Sequence, residues 1–250
     1  MKIGVDKGFT LVELSIVIVI IGLIIGGVFK GSELLKNSEL KAFVSEVNEY
    51  KAAVTTFKDI YKYLPGDMVG ATTYWASAAD GDGDSTIDAE TSNEPFSAMQ
   101  EMQLAGLIDG NFTGTWGTGF TPSTATLSGN IPVSSTGRAG AMIYIKCCSS
   151  TDYARTISFN NYVNIFSIYT TNNDYRAGIV TPIEANNIDT KIDDGIPDYG
   201  FVGGSGSYTG AAYAATGCYS GTGATSTYDT AVAGNKNAYN CQMQFAYDWD

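Results

Sequence analysis

The residues best suited to chemistry are acids. Positions 80–88 read Asp80-Gly81-Asp82-Gly83-Asp84-Ser85-Thr86-Ile87-Asp88. Alternating aspartates turn three carboxylates toward one centre when such a loop curls, and a fourth follows at the ninth position. Hard oxygen donors of this kind, with a backbone carbonyl near Thr86, suit calcium. Compared with an EF-hand loop, Ser85 stands where the turn glycine belongs and Thr91 where the bidentate glutamate belongs. The expectation is a calcium-type loop without EF-hand helices, with a solvated acidic turn as its alternative. A second cluster, Asp189, Asp193, Asp194 and Asp198, includes Lys191 and an Asp-Asp-Gly-Ile-Pro run. That composition favours a tight turn, and a second metal site is its alternative.

Other chemistry is scarce. No histidine occurs among 250 residues, which removes the commonest general base and the commonest transition-metal ligand. Ser–His and Cys–His nucleophiles are thereby excluded, and no phosphate loop or nucleophile elbow is present. Glu90 and Glu94 form a carboxylate pair of the type used on glycosides, but nothing else singles them out. No enzyme is expected. The net charge of −12 repels phosphate backbones, so no specific nucleic-acid partner is expected either. Four cysteines, Cys147, Cys148, Cys218 and Cys241, allow three pairings. A redox role for the adjacent pair is disfavoured, because no histidine or basic cluster activates it.

The elements that must position these groups are unevenly distributed. Residues 1–64 sum to +1 and residues 65–250 to −13. From Phe9 to Phe29 only Thr10, Glu13 and Ser15 are polar. At roughly 1.5 Å per residue that run spans a hydrocarbon core of about 30 Å. Two lysines before it favour a cytoplasmic amino end, with the bulk of the chain on the far side. From Ser32 to Leu64 apolar residues recur at Leu40, Phe43, Val44, Val47, Tyr50, Val54, Phe57, Ile60, Tyr61 and Leu64. These are the steps of an amphipathic helix. One helix over 9–64 is therefore predicted, ended by Pro65-Gly66. Beyond it the texture is Gly, Ser, Thr and aromatics. A short helix is predicted over 94–108, with Met99, Met102, Leu104 and Leu107 inward. Strands are predicted over 141–146, 156–159 and 162–169, and a loop over 203–223.

Glu13 is the anomaly in the apolar run. A carboxylate there costs roughly 2.5–3.5 kcal/mol to insert, and such residues default to a functional reading. The string Gly8-Phe9-Thr10-Leu11-Val12-Glu13 resembles the processing site of type IV prepilins and of type II secretion pseudopilins. The resemblance implies cleavage by a prepilin peptidase between Gly8 and Phe9, N-methylation of Phe9, and pairing of Glu13 with a neighbouring subunit's amino terminus. Two opposite charges in hydrocarbon each lower the other's desolvation cost. Gly22, Gly26, Gly27 and Gly31 form small-x-x-x-small pairs that permit close helix approach; a looser, bending helix is their alternative.

The implied organisation is a leader over 1–8, an assembly and transmembrane helix over 9–64, and a β-rich head over 65–250. The implied fold is α+β, a long helix laid on a small antiparallel sheet. Family pilins pin their C-terminal loop with a disulfide, which implies Cys218–Cys241; Cys147 and Cys148 would then pair together or stay reduced, and cross-pairing is the competitor. The implied function is a structural subunit of a pilus-like filament. Its partners are related subunits, the peptidase and the inner membrane, and its destination is the cell surface. A periplasmic pseudopilin and an adhesive minor pilin, for which Tyr199, Tyr208, Tyr213, Tyr219 and Tyr228 offer aromatic contacts, are the alternatives.

Overall fold

The computed structural model describes residues 10–87, 93–115, 129, 132–134, 140–145, 161–166, 178–206, 217–231 and 239–246. Helix α1 runs Leu11–Tyr61, and the chain divides into two compact units inside it, Met1–Lys41 and Ala42–Asp250. In the first unit every Leu, Ile, Val and Phe from Leu11 to Phe29 is exposed. Among the described residues this is the one helix long and apolar enough to cross a membrane.

In the second unit the helix buries one face. Phe43, Val47, Tyr50, Val54 and Phe57 are all buried, at steps of four, three, four and three. Each contributes roughly 1.5–3 kcal/mol of transfer free energy. Ile60, expected on the same stripe, is 58% exposed. The helix stops at Tyr61 because Lys62 turns left-handed, at φ 66°. The predicted stop at Pro65-Gly66 thus falls three residues late. Gly66 (φ 87°) then presses the turn onto the next long helix, where a Cβ would sit 2.2 Å from the Glu94 carbonyl oxygen.

After a single turn, α2 (Ala71–Tyr74), comes α3, Glu94–Leu104. Pro95 sits in its first turn, and Met99 and Met102 are fully buried as expected, whereas Leu104 and Leu107 are half-buried. Its end is a Schellman motif: the Gly106 amide donates to the Gln103 carbonyl (3.0 Å) and the Leu107 amide to the Met102 carbonyl (2.9 Å). Gly106, at φ 71°, is the residue that permits it.

The remaining elements are β1 (Gly140–Ile145), β2 (Asn161–Phe166), α4 (Pro182–Ile192), β3 (Val202–Gly206), β4 (Tyr219–Ser220), β5 (Thr227–Tyr228) and β6 (Cys241–Ala246). An antiparallel sheet has the order β1-β2-β6-β3, and β4 pairs with β5. The strands expected over 141–146 and 162–169 are β1 and β2; the one over 156–159 lies outside the described residues. Strand β6 is central, with Phe245 opposite Val163 on one side and Val202 on the other. Phe245 packs on Phe43 of α1, ring centroids 6.0 Å apart. A long helix followed by small antiparallel sheets is an α+β arrangement.

The predicted loop over 203–223 is overturned in part, since β3 and β4 lie in it. Its glycines are matters of space: a Cβ on Gly204 would stand 2.7 Å from Tyr228 Cε1 and 3.0 Å from Cys218 Sγ. The helix α4, where only a turn was expected further on, starts at a capping box: the Glu184 amide donates to Thr181 Oγ1 (3.2 Å) and the Thr181 amide to Glu184 Oε2 (2.9 Å).

Cys218 and Cys241 are disulfide-bonded, with Cα atoms 4.9 Å apart at a sequence separation of 23. Cys147 and Cys148 lie outside the described residues. The bond ties the β4–β5 hairpin to the central strand. For a closed loop of that size the chain-entropy model gives about 3 kcal/mol. Cys218→Ser should therefore lower the melting temperature by about 6–12 °C, read by differential scanning calorimetry of the oxidised protein; an unchanged melting temperature would contradict it.

Candidate functional site

Three groups of acids are organised by the fold, and the first is at the start of α1. Thr10 and Glu13 form a capping box. The Glu13 amide donates to Thr10 Oγ1 (3.2 Å), and Glu13 Oε2 accepts from the Thr10 amide (2.9 Å) and hydroxyl (2.8 Å). Thr10-x-x-Glu13 is a helix-start signature readable in the sequence beside the processing motif. Gly8 and Phe9 lie outside the described residues. A Cβ placed on Gly22, Gly26, Gly27 or Gly31 would meet nothing within 4 Å, so this face is bare in the single chain.

The second group surrounds Asp67, which the sequence pattern does not single out. Asp67 is 1% exposed. Its Oδ1 accepts from the amides of Gly83 (2.7 Å) and Asp84 (3.1 Å), and its Oδ2 from the amide of Ser85 (3.0 Å). The loop 81–85 thus wraps a buried carboxylate, helped by left-handed Gly83 (φ 76°) and Ser85 (φ 70°). Two expected ligands join it: carboxylate oxygens of Asp67, Asp82 and Asp84 all lie within 4.8 Å of one another. Asp80 does not. Its Oδ1 accepts from the amide and hydroxyl of Thr72, both at 2.9 Å, because the first amides of α2 need acceptors. Asp88 lies outside the described residues. Three hard oxygen donors at this separation fit a calcium ion's donor preference.

Close by, the turn at Gly66 is held by Glu101, a fully buried residue of α3. Glu101 Oε2 accepts from the Gly66 amide (2.7 Å), while Oε1 has no hydrogen-bond partner among the described residues. Burial pushes the Glu101 carboxyl up to about 8; the negative field of Asp67, Glu94 and Asp80 adds to the rise, and the Gly66 amide opposes it. Asp67 is pushed up to about 6, chiefly by burial and against the pull of its three amides.

The third group is the Asp189–Asp198 stretch. Asp189, Asp193 and Asp194 also bring carboxylate oxygens within 4.8 Å of one another, and Asp198 turns elsewhere. Asp189 accepts from the Gly195 amide (3.1 Å) and the Tyr228 hydroxyl (2.8 Å), and Asp194 from the Ile196 amide (2.8 Å). Asp193 Oδ2 accepts from the amides of Phe201 and Val202 at the head of β3. Asp198 Oδ2 accepts from the Gly223 amide (2.6 Å), and its own amide donates to Ser226 Oγ (3.0 Å). These contacts clamp the C-terminal end of α4 to β3 and to the β4–β5 hairpin. Burial raises the Asp189 carboxyl to about 6, with the Tyr228 hydroxyl opposing.

Residues 5–29 match the family model described as the prokaryotic N-terminal methylation motif. No curated protein and no solved structure matches the chain. The match falls on the segment whose residues resemble the class III signal peptides of type IV pilins and pseudopilins, and it supports that resemblance.

The buried acids set a pH dependence. Glu101, Asp67 and Asp189 have folded-state values above their ordinary ones, so between the two the folded protein binds more protons than the unfolded chain. Their contribution is full below about pH 4 and is lost as pH rises, through about 6 for the aspartates and about 8 for Glu101. In chelator, denaturant titrations should give falling stability from about pH 5 to about pH 8.5. Glu101→Gln keeps an acceptor for the Gly66 amide and removes the ionisation, so it should flatten the upper part of that fall. An unchanged slope in the variant would refute the assignment.

Proposed function

We propose that this chain is a structural subunit of a type IV pilus-like extracellular filament, assembled through its N-terminal helix after cleavage between Gly8 and Phe9. The observation that carries the reading is the coincidence of the methylation motif over residues 5–29 with a helix that is apolar and exposed through Phe29. An exposed apolar helix needs a membrane first and like helices afterwards. Glu13 then pairs with the freed ammonium of a neighbour's Phe9, and the acidic second unit is displayed outside the inner membrane as part of a cell-surface fibre.

Mature subunits should begin at N-methyl-Phe9, read by intact mass of sheared fibres; retention of Met1 there would sink the reading. Glu13→Ala should still insert into the membrane yet give no fibres, and normal fibres from that variant would remove the pairing role.

The convergence of Asp67, Asp82 and Asp84 supports a second reading, that the loop takes calcium. Carboxylates this close repel one another, and a hard divalent ion relieves that repulsion. At free calcium a hundred times its dissociation constant, the folded state gains about 2.7 kcal/mol. Calcium should raise the melting temperature more than magnesium does, and Asp82→Asn with Asp84→Asn, which keeps the local amide acceptors, should abolish the rise. A melting temperature indifferent to both calcium and EDTA returns the loop to a solvated turn.

A further inference from the structure

A groove of about 770 Å³ lies beside α1 between Ala42 and Thr56, with Gly106–Asp109 and Val133 on its far side. That volume is ordinary for a small-molecule site. Glu46, Glu49 and Asp109 line it and, among the described residues, no Lys or Arg does. These acids do not converge as a metal set would. Among the described residues only the Asp67 and Asp189 groups bring three carboxylate oxygens within 4.8 Å of one another.

Tyr50 makes the groove more than a run of acids. It is 8% exposed, it lines the groove, and its hydroxyl bonds no described residue. Burial, and then the negative fields of Glu46 and Glu49, raise that hydroxyl above its ordinary value. It therefore stays an intact phenol beside two carboxylates. The other polar groups are acceptors. One oxygen of Glu46 already takes the Ser134 hydroxyl (2.8 Å), and Thr56 spends its proton on the Ala52 carbonyl (2.7 Å), which leaves only its oxygen to offer. The complement of such a lining is a donor-rich cation, since an ammonium has three N–H donors and no acceptor. The rest of the lining is apolar, at Ala52, Ala53, Leu107, Ile108 and Val133, and suits methylenes.

We infer that this groove binds a linear aliphatic polyamine, with its ammonium groups on Glu46, Glu49 and Asp109, its methylenes along the apolar wall and one N–H on the Tyr50 oxygen. A compact divalent ion would leave the apolar wall unused, and a phosphate or an anionic lipid would be repelled. The amine ties α1 to the segment that follows α3. The site depends on neither the filament nor the calcium reading.

The test titrates spermidine into the full-length chain in uncharged detergent with chelator present, read by isothermal titration calorimetry. A single equivalent should bind, and butylamine, with one ammonium, should bind about tenfold more weakly or worse. Glu49→Gln with Asp109→Asn, both at exposed positions, should weaken spermidine by at least about tenfold. Tyr50→Phe should weaken it about threefold, and Ala52→Phe, which fills the groove without changing its charge, should abolish binding. Asp82→Asn with Asp84→Asn removes two charges elsewhere and should leave the affinity unchanged. No binding by the unaltered chain would overturn the site. So would equal losses from the two double variants, which would mark diffuse attraction to a chain of net charge −12. Butylamine binding as tightly as spermidine, or an affinity indifferent to both Tyr50→Phe and Ala52→Phe, would overturn it as well.

Discussion

Phe43, Val47, Tyr50, Val54 and Phe57 have to leave water together, because they lie on one face of one rigid helix. At one end of the stripe Phe43 packs on Phe245, in the middle of the four-stranded sheet, and at the other Phe57 packs against Trp75, ring centroids 6.2 Å apart. Everything else in the second unit is arranged around that burial. The bridge of Val180 to Cys241 and the Cys218–Cys241 bond attach α4 and the β4–β5 hairpin to the same central strand. Because β6 follows every other strand in the chain, the sheet is completed only by a segment far in sequence from the helix it covers. Such non-local closure is entropically costly before it is rewarded. A disulfide on that strand removes part of the cost from the unfolded side.

The acids follow a second rule. With 26 Asp and Glu against 14 Lys and Arg, at least twelve carboxylates lack a cation to answer them. Those that the fold organises are answered instead by backbone amides: Asp67 by three, Asp193 by two, and Asp80, Asp198, Glu101 and Glu184 by one or more each. Amides left over at helix starts and in tight loops are obligatory donors, so acid and loop satisfy each other. The arrangement is least complete at Glu101, whose second oxygen is buried without a partner among the described residues. There the low dielectric acts on the proton, and the group is held neutral at pH 7 rather than paired.

The same rule separates what was legible in the residues from what was not. Local period and local chemistry were readable: the α1 stripe, Met99 and Met102 on α3, and strands β1 and β2 each declare themselves over a short stretch. Asp67 did not, because nothing in its own neighbourhood marks it; its role comes from amides sixteen to eighteen residues away. Asp80 looked like the first ligand of a loop and became the acceptor for α2, since the short helix competes for the same carboxylate. Helix α4 was signalled by Thr181-Pro182-x-Glu184 but hidden by the aspartates after it, whose turn chemistry dominates that stretch. Strand β6 alternates Cys241, Met243 and Phe245 with Gln242 and Gln244, a period of two that both faces of a central strand bury. Glycine-rich β3 was masked for the opposite reason. Its Gly204 leaves room for Tyr228 and Cys218, and composition alone made the stretch look like loop.

The capping box at Thr10 and Glu13 bears on how an apolar helix can carry an acid at all. Within the single chain Glu13 Oε2 already holds two donors, an amide and a hydroxyl. The carboxylate is therefore answered before any neighbour arrives, which eases its residence in hydrocarbon. Both donors are neutral, and a charge-assisted bond to an ammonium is roughly twice as strong as a neutral one. Under the filament reading, a neighbour's amino terminus need not rescue an orphan charge; it has only to compete with Thr10 for one oxygen while the second stays available. Assembly at this position then becomes an exchange of partners on a carboxylate that is never bare. Such an exchange needs a helix start, an acid one turn in and a hydroxyl between them, and the order Phe9-Thr10-Leu11-Val12-Glu13 supplies all three within five residues.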